Sequence, residues 1–290
     1  MLRALSFSRR ITRLSIMAAL AVFLCMVSSA SAATVPPLLT TRPFAVLAHE
    51  SVTNTGPTGV YGNLGVSPGT SITGFPPGIV HGTTHATDAV AAQAQLDNTA
   101  AYLNLSGQGC TTDLTGQNLG GLTLTPGVYC YTSDAFLTGN LTLDGQSDVN
   151  AVFIFKTVSA LITASGSTVT LINSASFCNV FWKVGSSATL ATTTYFVGNI
   201  LALTSITIKT GARLDGRALA QTGSVMMDDN IVSNVGCPGA PEQPPPPRGL
   251  PPLPPAQVPE GDTLVLVATG LAGLAGYAGL RWRARRATKA

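Results

Sequence analysis

The sequence predicts a mainly β protein, a stack of short parallel strands forming a β-solenoid, with one α-helix packed alongside. A repeat is the first of three observations behind this. An apolar residue, a threonine and a second apolar residue recur as Leu122-Thr123-Leu124, Leu141-Thr142-Leu143, Val169-Thr170-Leu171, Ala188-Thr189-Leu190 and Ile206-Thr207-Ile208, with Val225-Met226-Met227 as a variant. The central residues stand 19, 28, 19, 18 and 19 positions apart, a nearly constant period of turn-bounded strands, in which each coil buries its apolar side only by stacking on the next. The second observation is composition: 10% of residues are charged and 30 are glycine, which suits a turn-rich β chain. The third is one break in the pattern. Residues 87–104 contain no Gly or Pro and are dense in Ala.

Taken in order, residues 1–32 read as a secretory signal. Arg3, Arg9, Arg10 and Arg13 precede an apolar run at 16–27 and the small-residue cleavage site Ala30-Ser31-Ala32. The mature chain keeps Cys110, Cys130, Cys178 and Cys237. No Cys-x-x-Cys pair occurs among them, so an exported chain favours disulfides over metal. Three connectivities are possible. Pairing in sequence order joins Cys110 to Cys130 and Cys178 to Cys237, the latter where the chain leaves the stack.

Phe44-Ala45-Val46-Leu47-Ala48 reads as a strand, and Ser51-Val52-Thr53 and Ser71-Ile72-Thr73 as further solenoid strands. The stretch 87–104 follows as a helix, with Thr87 as cap, Asp88 at its positive end, and Ala89, Ala92, Leu96, Ala100 and Leu103 on the face expected to pack inward. The solenoid domain is expected over 33–240. Residues 241–262 form a Pro-rich spacer, 263–280 offer 18 uncharged residues able to span a bilayer as a helix, and 281–290 carry a basic tail that places this end on the cytoplasmic side. The expected location is the cell surface, with the solenoid held outside by a membrane anchor. Net charge is +3 overall. Residues 34–240 nonetheless carry six Lys and Arg against ten Asp and Glu, so no nucleic-acid surface is indicated.

Several motifs then carry a resemblance. Phe44-Ala45-Val46-Leu47-Ala48, Gly62-Asn63-Leu64-Gly65-Val66-Ser67-Pro68-Gly69, Ile72-Thr73-Gly74-Phe75, Leu122-Thr123-Leu124-Thr125-Pro126-Gly127-Val128-Tyr129, Val180-Phe181-Trp182-Lys183-Val184 and Gly216-Arg217-Ala218-Leu219-Ala220-Gln221-Thr222 resemble, in order, the microbial ice-binding protein family. The resemblance implies a right-handed, discontinuous parallel β-solenoid of triangular section with one long helix alongside. It also implies adsorption to an ice crystal surface through one flat solenoid face. The insert that some members carry before the helix is absent, since 74–86 is short. The C-terminal tail resembles bacterial surface-sorting tails, although Val258-Pro259-Glu260-Gly261 lacks their second proline.

Strand alternation points Thr142 outward if Leu141 and Leu143 point inward. Thr123, Thr142, Thr170, Thr189, Thr207 and Met226 are thus the candidate binding face, expected as one ladder. Thr55, Thr192, Thr194 and Thr210, with Ser165 and Gly211, are candidates for its rim. The other reading is a non-enzymatic adhesin or envelope protein whose solenoid binds another surface or a polysaccharide. Catalysis is not expected: no paired carboxylates or basic catalytic cluster gather in the sequence. His81 and His85 lie in a loop without a third ligand, Asp144, Asp148, Asp228 and Asp229 lie in turns, and neither a metal nor a cofactor is expected. Lys156, Lys183, Lys209, Arg213 and Arg217 read as solvated strand ends, with Asp215, Asp228 and Asp229 as ion partners. Phe153, Phe155, Phe181 and Trp182 read as core, and the domain is expected to act as a monomer.

Overall fold

The computed structural model describes residues 33–247. The expected signal peptide, the membrane-spanning segment 263–280 and the basic tail lie outside the described residues. Among the described residues no helix is long and apolar enough to cross a membrane.

Every strand pairing is parallel, and each coil crosses three faces. The first face stacks Thr112–Asp113, Gly127–Tyr131, Phe153–Thr157, Val180–Val184, the second halves of Tyr195–Ala202 and Arg213–Ala220, then Phe44–Ala48, Asn63–Val66 and Thr84–Ala86. Three N-terminal strands thus follow the C-terminal ones in space, which makes the solenoid discontinuous. The second face is a sheet of seven strands in the order Ala135–Leu137, Leu161–Thr163, Ala188–Leu190, Ile206–Ile208, Val225–Met227, Ser51–Asn54 and Ser71–Thr73. The third runs from Thr123–Leu124 through Asn140–Asp144, Thr168–Ile172, the first halves of the two long strands, Ile231–Ser233 and Gly59–Tyr61 to Ile79–Val80.

Glycine makes the corner between the third face and the first. Gly198 and Gly216 sit in register with φ of 109° and 149°, and a Cβ on Gly216 would meet the Gly198 carbonyl oxygen at 2.0 Å. Inside, aromatic rings stack from coil to coil: Tyr129 on Phe155 at 5.3 Å, Phe155 on Trp182 at 4.1 Å, and Trp182 against Phe196 at 4.7 Å. Phe153 is likewise buried in this core, whereas Phe181 is buried on the outer side of its strand, under the helix.

Helix α1, Ala89–Gly107, returns the chain from the far end of the stack to its first coil. Its 19 residues span about 28 Å, or about six coils at 4.8 Å each. Asp88 rather than Thr87 caps it, accepting from the Ala91 amide at 2.8 Å. The inward face also differs from expectation. Leu96 is 66% and Leu103 62% exposed, Ala100 is exposed, and the buried positions are Ala91, Ala94, Gln95, Asp97, Asn98, Ala101, Tyr102 and Leu105. Small residues let the helix approach Val128, Ile154, Phe181, Leu201 and Leu219, and Gln95 and Tyr102 among its buried polar residues bond to the solenoid backbone. Gln95 Nε2 donates to the Ala220 carbonyl at 3.2 Å and Tyr102 Oη to that of Val184 at 3.3 Å. Close approach plus satisfied hydrogen bonds outweighs burial of two leucines.

The basic residues serve the fold individually. Lys156 Nζ donates to the Ser106 carbonyl at 2.9 Å and also to that of Gln108, at the negative end of α1. Lys183 stands 4.8 Å over the Tyr102 ring, and Lys209 is exposed. Arg217 corrects the solvated reading outright, being 1% exposed. It donates to the Arg42 carbonyl at 3.2 and 2.7 Å and to Asn199 Oδ1 at 2.7 Å. Asn234 Nδ2 donates to the same Arg42 carbonyl at 3.0 Å, so these two side chains stitch the C-terminal coil to the N-terminal segment docked on it. Burial, with a smaller contribution from Arg42, lowers the Arg217 pKa to about 10.

Disulfides join Cys110 to Cys130 and Cys178 to Cys237, the sequence-order pairing. Residues past 240 still pack against the coils. Gln243 Nε2 donates to the His81 carbonyl at 2.6 Å, Arg213 donates to the Pro247 carbonyl at 3.0 Å, and Pro246 is buried. Residues 238–247 therefore form a strap across the third face.

Candidate functional site

The six residues expected in one ladder lie on two faces. Thr142 pairs in register with Thr123 and with Thr170 on the third face. Thr189, Thr207 and Met226 pair on the second. The step from 170 to 189 equals the repeat in number only: the chain leaves the third face, crosses the first through Val180–Val184 and reaches the second, about two-thirds of a turn. The turn there is long because of the excursion through Phe177–Asn179.

Two residues that the repeat omitted complete the second face. Met226 pairs with Thr53, and Thr53 with Thr73. The column on this face reads Phe136, Ile162, Thr189, Thr207, Met226, Thr53, Thr73. Two positions before each of the last five stands a serine: Ser187, Ser205, Ser224, Ser51 and Ser71. The signal was a shared Ser-x-Thr pattern. Sequence distance hid it, because 51–73 joins the stack only through the discontinuity.

Hydrogen bonding separates the two candidate faces. On the third, Asn140 Nδ2 donates to Thr142 Oγ1 at 3.0 Å, and Thr168 and Thr170 both donate to Asn140 Oδ1 at 2.7 Å. The coils beyond carry Tyr195 and the Arg213–Asp215 ion pair at 2.9 Å, and the strap crosses them. Tyr195 Oη donates to Asp215 Oδ2 at 2.6 Å, and burial first, then Asp215, raises its pKa to about 12. On the second face, Ser51 and Ser224 Oγ lie 2.8 Å apart and Ser205 Oγ accepts from the Ser224 amide at 3.1 Å. The hydroxyls of Thr53, Thr73, Thr189 and Thr207 have no protein partner among the described residues. Inward, Ala188, Ile206, Val225 and Val52 are fully buried, so the sheet beneath is firmly held.

Of the rim candidates, Thr210 donates to Asp228, which Thr55 also approaches, and hydrogen bonds from both hydroxyls lower the Asp228 pKa, with Thr210 the larger cause. Thr192 donates to Ser165 at 2.8 Å. These three do mark the corner between the second and third faces. Thr194 does not: it is 1% exposed and 3.0 Å from Thr163 Oγ1, itself 3% exposed, so both are interior corner residues. Charges keep to the edges, with Lys209 and Asp228 two positions past Thr207 and Met226.

His81 stacks on Tyr61 at 4.1 Å and His85 pairs with Asp88 at 2.7 Å, apart from each other. Asp144 and Asp148 accept from the amides of Gln146 and Asn150 at 2.8 Å, as turn residues do. Among the described residues no three His, Cys, Asp or Glu gather as a metal site.

An ice-binding protein from Nostoc sp. is 50% identical over 262 residues, covering 90% of this chain and 93% of its own. The crystal structure of an ice binding protein from an Antarctic biological consortium superposes with a TM-score of 0.68 at 47% identity, covering 69% of this chain and 91% of that one. That of an ice-binding protein from the Antarctic ascomycete Antarctomyces psychrotrophicus gives 0.67 at 40% identity, covering 69% and 98%. The family model described as Ice-binding-like matches residues 46–233, and the chain belongs to that family.

Proposed function

We propose that the second face adsorbs to ice crystals and restrains their growth or recrystallisation. The observation that carries this reading is the in-register column of threonines whose hydroxyls are not used by the protein, next to a serine column, on a face that neither helix nor strap covers. Rows repeat about every 4.8 Å across the strands and positions about every 6.7 Å along them. A surface so regular holds water in fixed positions: the threonine methyl excludes a water molecule and the hydroxyl anchors one. Adsorption of this kind needs no nucleophile, acid or base. The names of the relatives support the ligand, and the residue pattern supports the face.

We further propose that the chain is exported and held at the cell surface, its signal at 1–32 removed and 263–280 inserted in the membrane. Two experiments test these readings. Residues 33–247 should show thermal hysteresis or inhibit ice recrystallisation, and a folded domain with neither removes the ice reading. The full-length protein should sediment with membranes, whereas recovery of the intact chain free in the medium removes the anchor.

A further inference from the structure

Met226 occupies the central one of the five serine-flanked rows of the second face, in register between Thr207 and Thr53. It is 40% exposed, while its neighbour Met227 points into the core and is 3% exposed. The other methionines of the chain, Met1, Met17 and Met26, fall within the expected signal peptide. All four cysteines of the described residues are in disulfides, and Trp182 is 1% exposed. The folded domain thus offers a two-electron oxidant one accessible thioether, and it lies in the surface proposed to meet ice.

We propose that Met226 is an oxidation site that turns this face off. The oxidant class is a peroxide. The sulfur lone pair attacks one oxygen of hydrogen peroxide, the O–O bond breaks as an S–O bond forms, and the released hydroxide takes the proton carried by the transferred oxygen, which leaves the neutral sulfoxide and one water. Sulfur is oxidised by two electrons and the peroxide reduced by two. The product sulfoxide replaces a soft apolar group with a chiral, strongly hydrogen-bond-accepting one. Its oxygen imposes its own hydration at the centre of the column, out of step with the threonine rows on either side. Strand alternation keeps the change outside the core, so the fold stays intact.

The inference rests on the ice reading, and the experiment separates the two. Residues 33–247 are treated with hydrogen peroxide under native conditions, mapped by peptide mass spectrometry, and compared with Met226→Leu and Met226→Thr for hysteresis and melting temperature. Expected is one added oxygen on Met226, none on Met227, loss of most wild-type hysteresis with the melting temperature held, and two variants each of whose hysteresis after treatment equals its own untreated value. Full hysteresis with Met226 stoichiometrically oxidised overturns the proposal and leaves the ice reading standing, as does oxidation of Met227 before Met226. Untreated protein without hysteresis overturns both.

Discussion

Replacing Thr207 by tyrosine tests the face assignment most directly. Thr207 sits mid-column, with Thr189 and Met226 in register on either side. Contact with a crystal requires approach to about 3.5–4.0 Å. A phenol ring standing proud of the hydroxyl plane holds a rigid lattice away from its own row and from the rows about 4.8 Å to each side. Of the five Ser-x-Thr or Ser-x-Met rows, from Ser187 to Ser71 in stacking order, three then lose contact. The fold should be indifferent, because Ile206 and Ile208 on either side remain buried. A surface change of about 0.5 kcal/mol corresponds to about 1–2 °C in melting temperature for a domain of this size. Thermal hysteresis and melting are measured for wild-type 33–247 and for Thr207→Tyr, Thr189→Tyr and Thr142→Tyr. The first two variants should lose most activity with melting nearly unchanged, and Thr142→Tyr, on the third face, should keep it. Thr207→Val, which keeps the branched shape, should be milder. Full hysteresis in folded Thr189→Tyr and Thr207→Tyr, or loss in Thr142→Tyr alone, refutes the reasoning.

Arg217→Met leaves Asn199 Oδ1 without its guanidinium donor and the Arg42 carbonyl with Asn234 alone; the expected cost in urea unfolding is about 3 kcal/mol, and a change below about 1 kcal/mol contradicts the stitching role. Replacing Cys178 and Cys237 by serine reopens a loop of separation 59 and should cost about 4 kcal/mol, with hydrogen-exchange protection falling first at 225–237. Leu96→Ser with Leu103→Ser should shift stability by no more than about 0.5 kcal/mol, whereas Ala101→Leu should cost about 1–3 kcal/mol by overfilling the helix contact; the reverse order would restore the inward face read from the sequence. Acid should destabilise the fold through five carboxylates with lowered pKa: Asp88 chiefly by the Ala91 amide, Asp113 chiefly by the Thr115 hydroxyl, Asp134 chiefly by the Ser159 hydroxyl, Asp228 chiefly by the Thr210 hydroxyl, and Asp97, where burial pushes up but hydrogen bonds from Thr40 and Gln93 outweigh it. Their contribution is present above the ordinary value of 3.8 and lost as pH falls below it, so urea stability should drop there and drop less in Asp97→Asn.

Much of the architecture was legible because solenoid periodicity is a local signal. The triplets and the Gly-free, Pro-free helix were readable along the chain; the observed disulfides were one of the three connectivities the cysteines allowed, and the corner made by Gly198 and Gly216 carried no repeat signal of its own. Face membership was not, since it depends on how many residues each corner consumes. The segments 145–152 and 173–179 lengthen their turns, so a constant spacing passed from one face to another unnoticed. The helix misled for a different reason. Leu96 and Leu103 look like an inward stripe, yet the inward side was chosen by Ala94, Ala101 and the hydrogen bonds of Gln95 and Tyr102. Thr53 and Thr73 lay in plain sight as Ser-x-Thr strands, but nothing local announces that they dock beside Met226.

The splice between the two ends of the chain bears on the order in which the molecule is made. Phe44–Ala48 is fully buried, and its partners Ala218 and Leu219 are synthesised long after it. Arg217 and Arg42 are separated by 175 residues. The N-terminal strands have early partners in one another, as Phe44–Ala48 has in Asn63–Val66, but the edge that faces the C-terminal coils stays open while the other coils wind, and the last coil completed is the template on which the first segment settles. Closing so long a loop makes this docking a slow, late step of folding. A chain interrupted after Ile208 would lose its final coil and strand its N-terminal segment together, leaving sheet edges open to other chains.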